Sequence, residues 1–162
     1  ICGYFDGRNL SVLDAKIHTT EHGYALDSFV LVDPAGPAHY RDILVQVENE
    51  LAQRLARPGE LPPPVRGRAS RRSRSFPIEP SVDLRPDERG RQFLLSVVAN
   101  DRTGLLYAIA RVLGRYRISL HTARITTLGE RVEDVFLIDG EALRNPREQL
   151  QFETELLAEL RA

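Results

Sequence analysis

Slid by 108 positions, this chain falls on itself. Leu13-Asp14-Ala15-Lys16-Ile17-His18-Thr19-Thr20 then lies over His121-Thr122-Ala123-Arg124-Ile125-Thr126-Thr127-Leu128, with Ala15 on Ala123, Lys16 on Arg124, Ile17 on Ile125 and Thr19 on Thr127. Leu10 meets Ile118 and Ser11 meets Ser119. After one residue of turn is lost, Phe29-Val30-Leu31-Val32-Asp33 meets Phe136-Leu137-Ile138-Asp139, and both runs end at an aspartate. One unit present twice within 162 residues predicts two small modules of the same design.

The second copy is the more complete. Gln92 to Ala99 is a short apolar, strand-like run, followed by the polar turn Asn100-Asp101-Arg102-Thr103-Gly104. Leu105 to Arg115 repeats apolar residues at helical spacing, with Leu105, Ile109, Val112 and Leu113 on one stripe and Asp101 or Thr103 suited to cap it. Ile118 to Thr127 is rich in β-branched residues and reads as a strand, and Arg131 to Ile138 returns as its hairpin partner. Asn145-Pro146 opens a last helix with apolar Leu150, Leu156, Leu157 and Leu160. The first copy reads as a strand at Leu10–Thr20, a strand at Ala25–Val32, and a helix from about Ala38 to Leu55 striped by Tyr40, Ile43, Leu44, Val47, Leu51 and Leu55. Phe76 to Leu84 supplies a strand that Pro77 and Pro80 place near a sheet edge. Because Ile1 aligns with Ile109, the first copy is expected to be missing its opening strand and half its first helix, which either lie upstream or are replaced by another chain. With no Met at position 1, the chain is expected to start internally.

In both copies the apolar parity switches inside the second strand. Leu10 and Val12 are out of phase with Leu13, Ala15 and Ile17, as Ile118 and Leu120 are with Ala123 and Ile125. A β-bulge would do this, and so would burial of both sheet faces. The continuous runs Phe29–Val32 and Val135–Ile138 favour two buried faces.

Several function classes are disfavoured. The net charge is −1, which points to no polyanionic partner, and the hydrophobic fraction of 42% suits an ordinary core. Cys2 is the only cysteine, so no disulfide framework or cysteine zinc site is available. No apolar run is long enough to span a bilayer, and the first residues do not form a signal peptide. Arg57 to Ser75 is dominated by Pro, Gly, Ser and Arg and is expected to be a mobile loop. Its arginines Arg66, Arg68, Arg71, Arg72 and Arg74 lack interleaved aromatics, which disfavours nucleic acid as a partner. His18, His22, His39 and His121 have no convergent acid or thiol and read as surface histidines rather than ligands. No nucleophile–base set or metal cluster marks an independent enzyme.

The most informative segment is Asn100 to Leu106. The N–H groups of a helix's first turn have no internal partners and the dipole is positive there, so a small anion such as an amino acid's carboxylate fits. Gly104 allows close approach, and Asp101 could pair with an ammonium group. The bland alternative is that Asp101 and Thr103 simply cap the helix, and the chemistry alone favours it. The segment is not a phosphate loop, since it has one glycine and no following Lys-Ser/Thr.

Asp101-Arg102-Thr103-Gly104-Leu105-Leu106-Tyr107-Ala108-Ile109-Ala110, and then the run from His121 to Phe136, resemble the C-terminal end of the bifunctional PII uridylyltransferase/uridylyl-removing enzyme family. The segment Asn9 to Ile17 is similar to that family's penultimate ACT domain. The resemblance implies an α+β fold of two ferredoxin-like βαββαβ (ACT) modules, with antiparallel sheets and helices on one face. Module 1 would span residues 1–85, truncated at its N-terminus and including the loop at 57–75, and module 2 residues 90–162 as βαββα. In that family the ACT pair senses glutamine and sets the balance between uridylylation and deuridylylation of the PII nitrogen-signalling protein in the cytoplasm. Nucleotidyltransferase and metal-dependent HD phosphohydrolase domains precede it, so magnesium would serve the parent enzyme and no cofactor this stretch. Catalysis carries over to no residue here, since neither a Gly-Ser with paired aspartates nor a His-Asp pair of the hydrolase type is present. The implied ligand site comprises Asn100, Asp101, Thr103, Gly104, Leu105 and Leu106, completed by Asn9 to Ser11 of the partner module. The expected partners are glutamine, the catalytic domains of the same chain, the PII protein and a second copy in an ACT-mediated dimer. A ligand-free interaction or dimerisation pair, and a tandem-ACT transcriptional regulator, are the alternative readings.

Overall fold

The computed structural model describes residues 1–8, 10–20, 22, 24–32, 40–57 and 78–161. Asn9, His39, Phe76, Pro77 and nearly all of the Arg/Pro-rich stretch lie outside these residues. In chain order the elements are α1 (Cys2–Gly7), β1 (Ser11–Thr19), β2 (Ala25–Val32), α2 (Tyr40–Leu55), β3 (Ser81–Pro86), β4 (Phe93–Asn100), α3 (Leu105–Arg115), β5 (Ser119–Leu128), β6 (Arg131–Asp139), a short 3₁₀ turn (Glu141–Leu143) and α4 (Pro146–Arg161).

The six strands form one antiparallel sheet in the order β2-β1-β5-β6-β4-β3. Both copies contribute to it, joined where β1 pairs with β5, Ala15 opposite Ile125 and Ile17 opposite Ala123. The strand predicted at Phe76–Leu84 is found at Ser81–Pro86, just after Pro80; it sits at an edge, as predicted, and pairs with β4, a strand of the second copy. This is a joining of the two copies that chain order alone does not suggest.

Alternation along the strands sends one set of side chains to a core shared with the helices. Leu95, Val97 and Ala99 of β4, Val132, Phe136 and Ile138 of β6, Ala123 and Ile125 of β5 and Ala15 of β1 are buried there. They meet Leu105, Ile109, Val112 and Leu113 of α3, the predicted stripe, and Phe152, Leu156 and Leu160 of α4. The last helix differs from expectation: Leu150 is 65% exposed, and Phe152, buried completely, takes the central position. Asn145 caps α4, its Oδ1 accepting the Arg147 N–H at 3.0 Å, with Pro146 at the first turn as predicted. A smaller cluster of Tyr4, Phe5 and Leu10 packs on Phe29, Leu31, Val47 and Leu51. The α2 stripe is narrower than expected, with Leu44 and Leu55 exposed.

The parity switch resolves in favour of a bulge. The β1–β2 register shifts between Val12 and Asp14, and the β5–β6 register between Leu120 and Thr122. The extra residues, Leu13 and His121, are equivalent under the repeat, so the bulge belongs to the repeated unit. The expectation that burial of both faces causes the switch is therefore corrected. Leu26, Val30, Val32, Leu94 and Val135 all carry substantial exposure, and the strand registers put them on the face without helices. His121, expected at the surface, is half-buried at its bulge, whereas His18 and His22 are exposed.

Candidate functional site

Where the first copy meets the second, a cavity of about 230 Å³ opens. The first copy lines it with Cys2 and Asp6 of α1 and with Leu10, Ser11 and Val12 at the start of β1. The second copy supplies Asp101, Arg102 and Thr103 from the β4–α3 loop, Leu105 and Leu106 from the first turn of α3, Ile125 and Thr127 from β5, Glu130 from the β5–β6 turn, and Val132 and Asp134 from β6.

Local geometry explains why the loop presents itself here. The Asp101 N–H donates to the Glu130 carbonyl at 2.8 Å, tying the loop to the β5–β6 turn. The Arg102 Nη2 donates to the Glu159 carbonyl at 2.7 Å, which fastens the loop to the end of α4 and satisfies one of that helix's last acceptors. Gly104 is left-handed at φ 85 and is itself the residue preceding α3, with no side-chain cap. The expected capping by Asp101 or Thr103 is thus corrected: with Gly104 turning the chain at the helix start, both side chains line the cavity instead.

The Gly104 N–H does have a partner. It donates to Asp6 Oδ1 at 3.2 Å, across 98 positions of sequence. The place where a ligand's carboxylate was expected is taken by a carboxylate of the chain's own first helix. Arg8 and Tyr4 in turn bind Glu50, the Tyr4 hydroxyl donating at 3.0 Å, so α1 is also fastened to α2.

The cavity is acidic. Burial pushes the Asp6 carboxyl up, against the opposing pull of the Gly104 N–H and the Arg102 charge. Burial likewise raises Asp101, with Glu130 adding to the rise. Asp134 is the extreme case: only 1% of it is exposed, and burial raises it to about 7, with the Asp101 charge contributing and the Thr126 N–H, 3.1 Å from Oδ1, opposing. Its Oδ2 and that of Asp6 are buried without a hydrogen-bond partner among the described residues. Facing four carboxyls, Arg102 is the one cation in the lining among the described residues. Such a wall favours a ligand that brings N–H donors and positive charge.

Of the residues expected to bind, Asp101, Thr103, Leu105, Leu106 and Ser11 come together in the cavity. Gly104 is adjacent, with its N–H engaged by Asp6. Asn100 is not in the lining: its side chain exchanges hydrogen bonds with the backbone of Ile78, at 3.3 and 3.4 Å, and so braces the approach to β3. Asn9 lies outside the described residues. Asp6, Arg102, Glu130 and Asp134 were not anticipated. A signal for Asp134 existed, because it shares the inward parity of Val132, Phe136 and Ile138. Among the described residues no group of three or more His, Cys, Asp or Glu is arranged to hold a metal, and no helix is long and apolar enough to cross a membrane.

Comparison with known proteins finds a consistent relative. The chain is 64% identical to the bifunctional uridylyltransferase/uridylyl-removing enzyme of Ralstonia nicotianae over 165 aligned residues, covering 99% of this chain and 19% of that enzyme. It is 62% identical to the enzyme of the same name from Cupriavidus pinatubonensis, over 99% of this chain and 19% of the relative. It is 60% identical to that of Burkholderia mallei, over 97% and 18%. The chain therefore matches one segment of these enzymes and spans about a fifth of the length of the curated relatives it matches. No protein-family model and no solved structure matches it.

Proposed function

Taking as premise that this chain matches one segment of bifunctional uridylyltransferase/uridylyl-removing enzymes, we propose that it is their amino-acid-sensing, regulatory part. Its ligand is glutamine, and its output is the balance between uridylylation and deuridylylation of the PII protein by catalytic domains of the same enzyme. It is an ACT pair in the cytoplasm. The observation that carries this reading is the cavity at the joint between the two copies. Its volume lies below the roughly 300–1,000 Å³ of drug-sized pockets, as suits a small metabolite. Both copies contribute walls, so a ligand there has different contacts in different arrangements of the two, which regulation requires.

In this reading the ammonium group of glutamine meets Asp101, Thr103 and Ser11 add polar contacts, and its carboxylate takes the Gly104 N–H from Asp6. One carboxylate replaces another, and α1 is released from the start of α3. Isothermal calorimetry of the chain with L-glutamine tests this. Saturable heat is expected, and silence with glutamine but heat with another amino acid would remove glutamine as the ligand.

The exchange also predicts that Asp6→Ala tightens glutamine binding. A hydrogen bond to a charged group contributes about 1.5 kcal/mol, so removing the internal competitor is worth roughly tenfold in affinity. Weaker binding by this variant would show that Asp6 holds the ligand rather than its place.

The helix-free sheet face, with Leu26 72% and Val30 51% exposed, favours a second reading as an interaction surface that needs no small ligand. Thermal melts unmoved by all twenty amino acids would support that reading over sensing.

A further inference from the structure

Asp134 is a carboxyl where the inward parity of β6 calls for an apolar side chain. Its neighbours of the same parity, Val132 and Phe136, are apolar and buried. A carboxyl is enclosed there, and among the described residues it has one hydrogen bond, from the Thr126 N–H to Oδ1. Its other oxygen, Oδ2, is buried without a hydrogen-bond partner among the described residues and belongs to a group that lines the cavity. Leaving a buried polar atom unmatched is unfavourable, so its presence at a cavity wall marks a place where a partner arrives. We propose that Asp134 is the deep recognition group of the amino-acid pocket, its Oδ2 accepting an N–H of the ligand's side chain and surrendering its proton to solvent as the ligand docks. This rests on the glutamine-sensing reading and adds to it a residue and a linked proton.

The surrounding charges decide the direction of proton flow. The titratable and charged groups facing this part of the cavity are Asp101 and Arg102 from the loop, Glu130 from the β5–β6 turn, and Cys2 and Asp6 from α1. Asp101 is the one whose charge helps hold Asp134 protonated, after burial itself. An ammonium group on Asp101 cancels that repulsion. A carboxamide N–H at Oδ2 then favours the ionised carboxylate, since it can only donate there. Both effects expel the proton. A glutamate side chain, which brings a carboxylate and no N–H, reverses the second effect and is expected to bind more weakly than glutamine.

The test is calorimetry of the chain with L-glutamine in two buffers of different ionisation enthalpy, at pH 6 and pH 7. Because burial holds Asp134 at about 7, about half a proton should be released per ligand at pH 7, rising toward one at pH 6. Asp134→Asn should lose the release and weaken binding at least tenfold, with circular dichroism confirming the fold. The proton count on the unaltered chain needs no variant and stands if that one misfolds. Glutamine heat with no proton exchange at either pH, or unchanged affinity in Asp134→Asn, overturns this proposal while leaving glutamine sensing in place. No glutamine heat at all from the unaltered chain overturns the sensing reading, and this proposal with it.

Discussion

At pH 8 the Asp134→Asn chain is expected to melt well above the unaltered one, and at pH 4 the two should melt close together. The carboxyl ordinarily titrates at 3.8 and is raised to about 7 in the fold, chiefly by burial. Below about pH 4 it is protonated whether the chain is folded or not, and burial then carries no ionic cost. Between those values the folded state holds a proton that the unfolded state has lost, so stability present at low pH is lost progressively as pH rises through about 7. A difference of about three units at about 1.4 kcal/mol each sets an upper bound near 4 kcal/mol. Asparagine keeps the acceptor for the Thr126 N–H and never ionises. It should gain about 2–4 kcal/mol at pH 8, or roughly 5–15 °C in a chain of this size. Thermal melts at the two pH values check this; an equal shift at both would show that the carboxyl's charge is not the cause. The same stability makes a loss of glutamine binding by this variant interpretable as lost recognition.

The opposite extreme is Phe152→Ala. Phe152, on α4, is wholly enclosed in the core that α4 shares with α3 and the sheet, edge-on to Tyr116 with ring centroids 5.5 Å apart. Truncating such a ring removes its burial and leaves a cavity that the neighbours only partly fill, at a cost of about 3–5 kcal/mol. That is a large share of the 5–15 kcal/mol that holds an ordinary domain together. Leu51→Ala, in α2, should cost about 1 kcal/mol, because Leu51 is only half-buried, against the small cluster under β2. Urea unfolding of both variants decides: midpoints displaced equally would mean that the two clusters are one core of uniform strength.

Local pattern carried most of the secondary structure. The stripe from Leu105 to Arg115 and the strand from Ala25 to Val32 are found at the positions their periodicity predicts. The parity switch was legible too, but not its cause: a bulge and a second buried face leave the same trace along one strand, and only the register with a neighbour separates them. Pairing across the chain was beyond local reading. Nothing around Ser81 indicates that it lies beside Val98 rather than beside a strand of the first copy. The site divides in the same way. Asp101, Thr103 and Leu106 follow from the geometry of any strand–loop–helix turn, whereas Asp6 reaches Gly104 only because α1 is folded against α3. Asp134 shares the inward parity of Val132 and Phe136, but carboxylates are rarely fully buried, so the parity alone does not reveal its burial.

The pairing of β1 with β5 has a consequence for how the molecule came to be one chain. Lys16 faces Arg124, Ala15 faces Ile125 and Ile17 faces Ala123, and each of these residues is matched to its counterpart by the internal repeat. That is the arrangement of a two-fold axis, passing through the Lys16–Arg124 pair, in which residue i meets j and j meets i. The two halves meet as the subunits of a closed dimer do, but a peptide tether holds them at a fixed effective concentration, and their union no longer depends on dilution. Tethering also frees the halves from identity. Under strict symmetry every change would appear at two places at once; within one chain, Asp6 of one half can face Gly104 of the other although the residue that matches Asp6 under the repeat is Gly114.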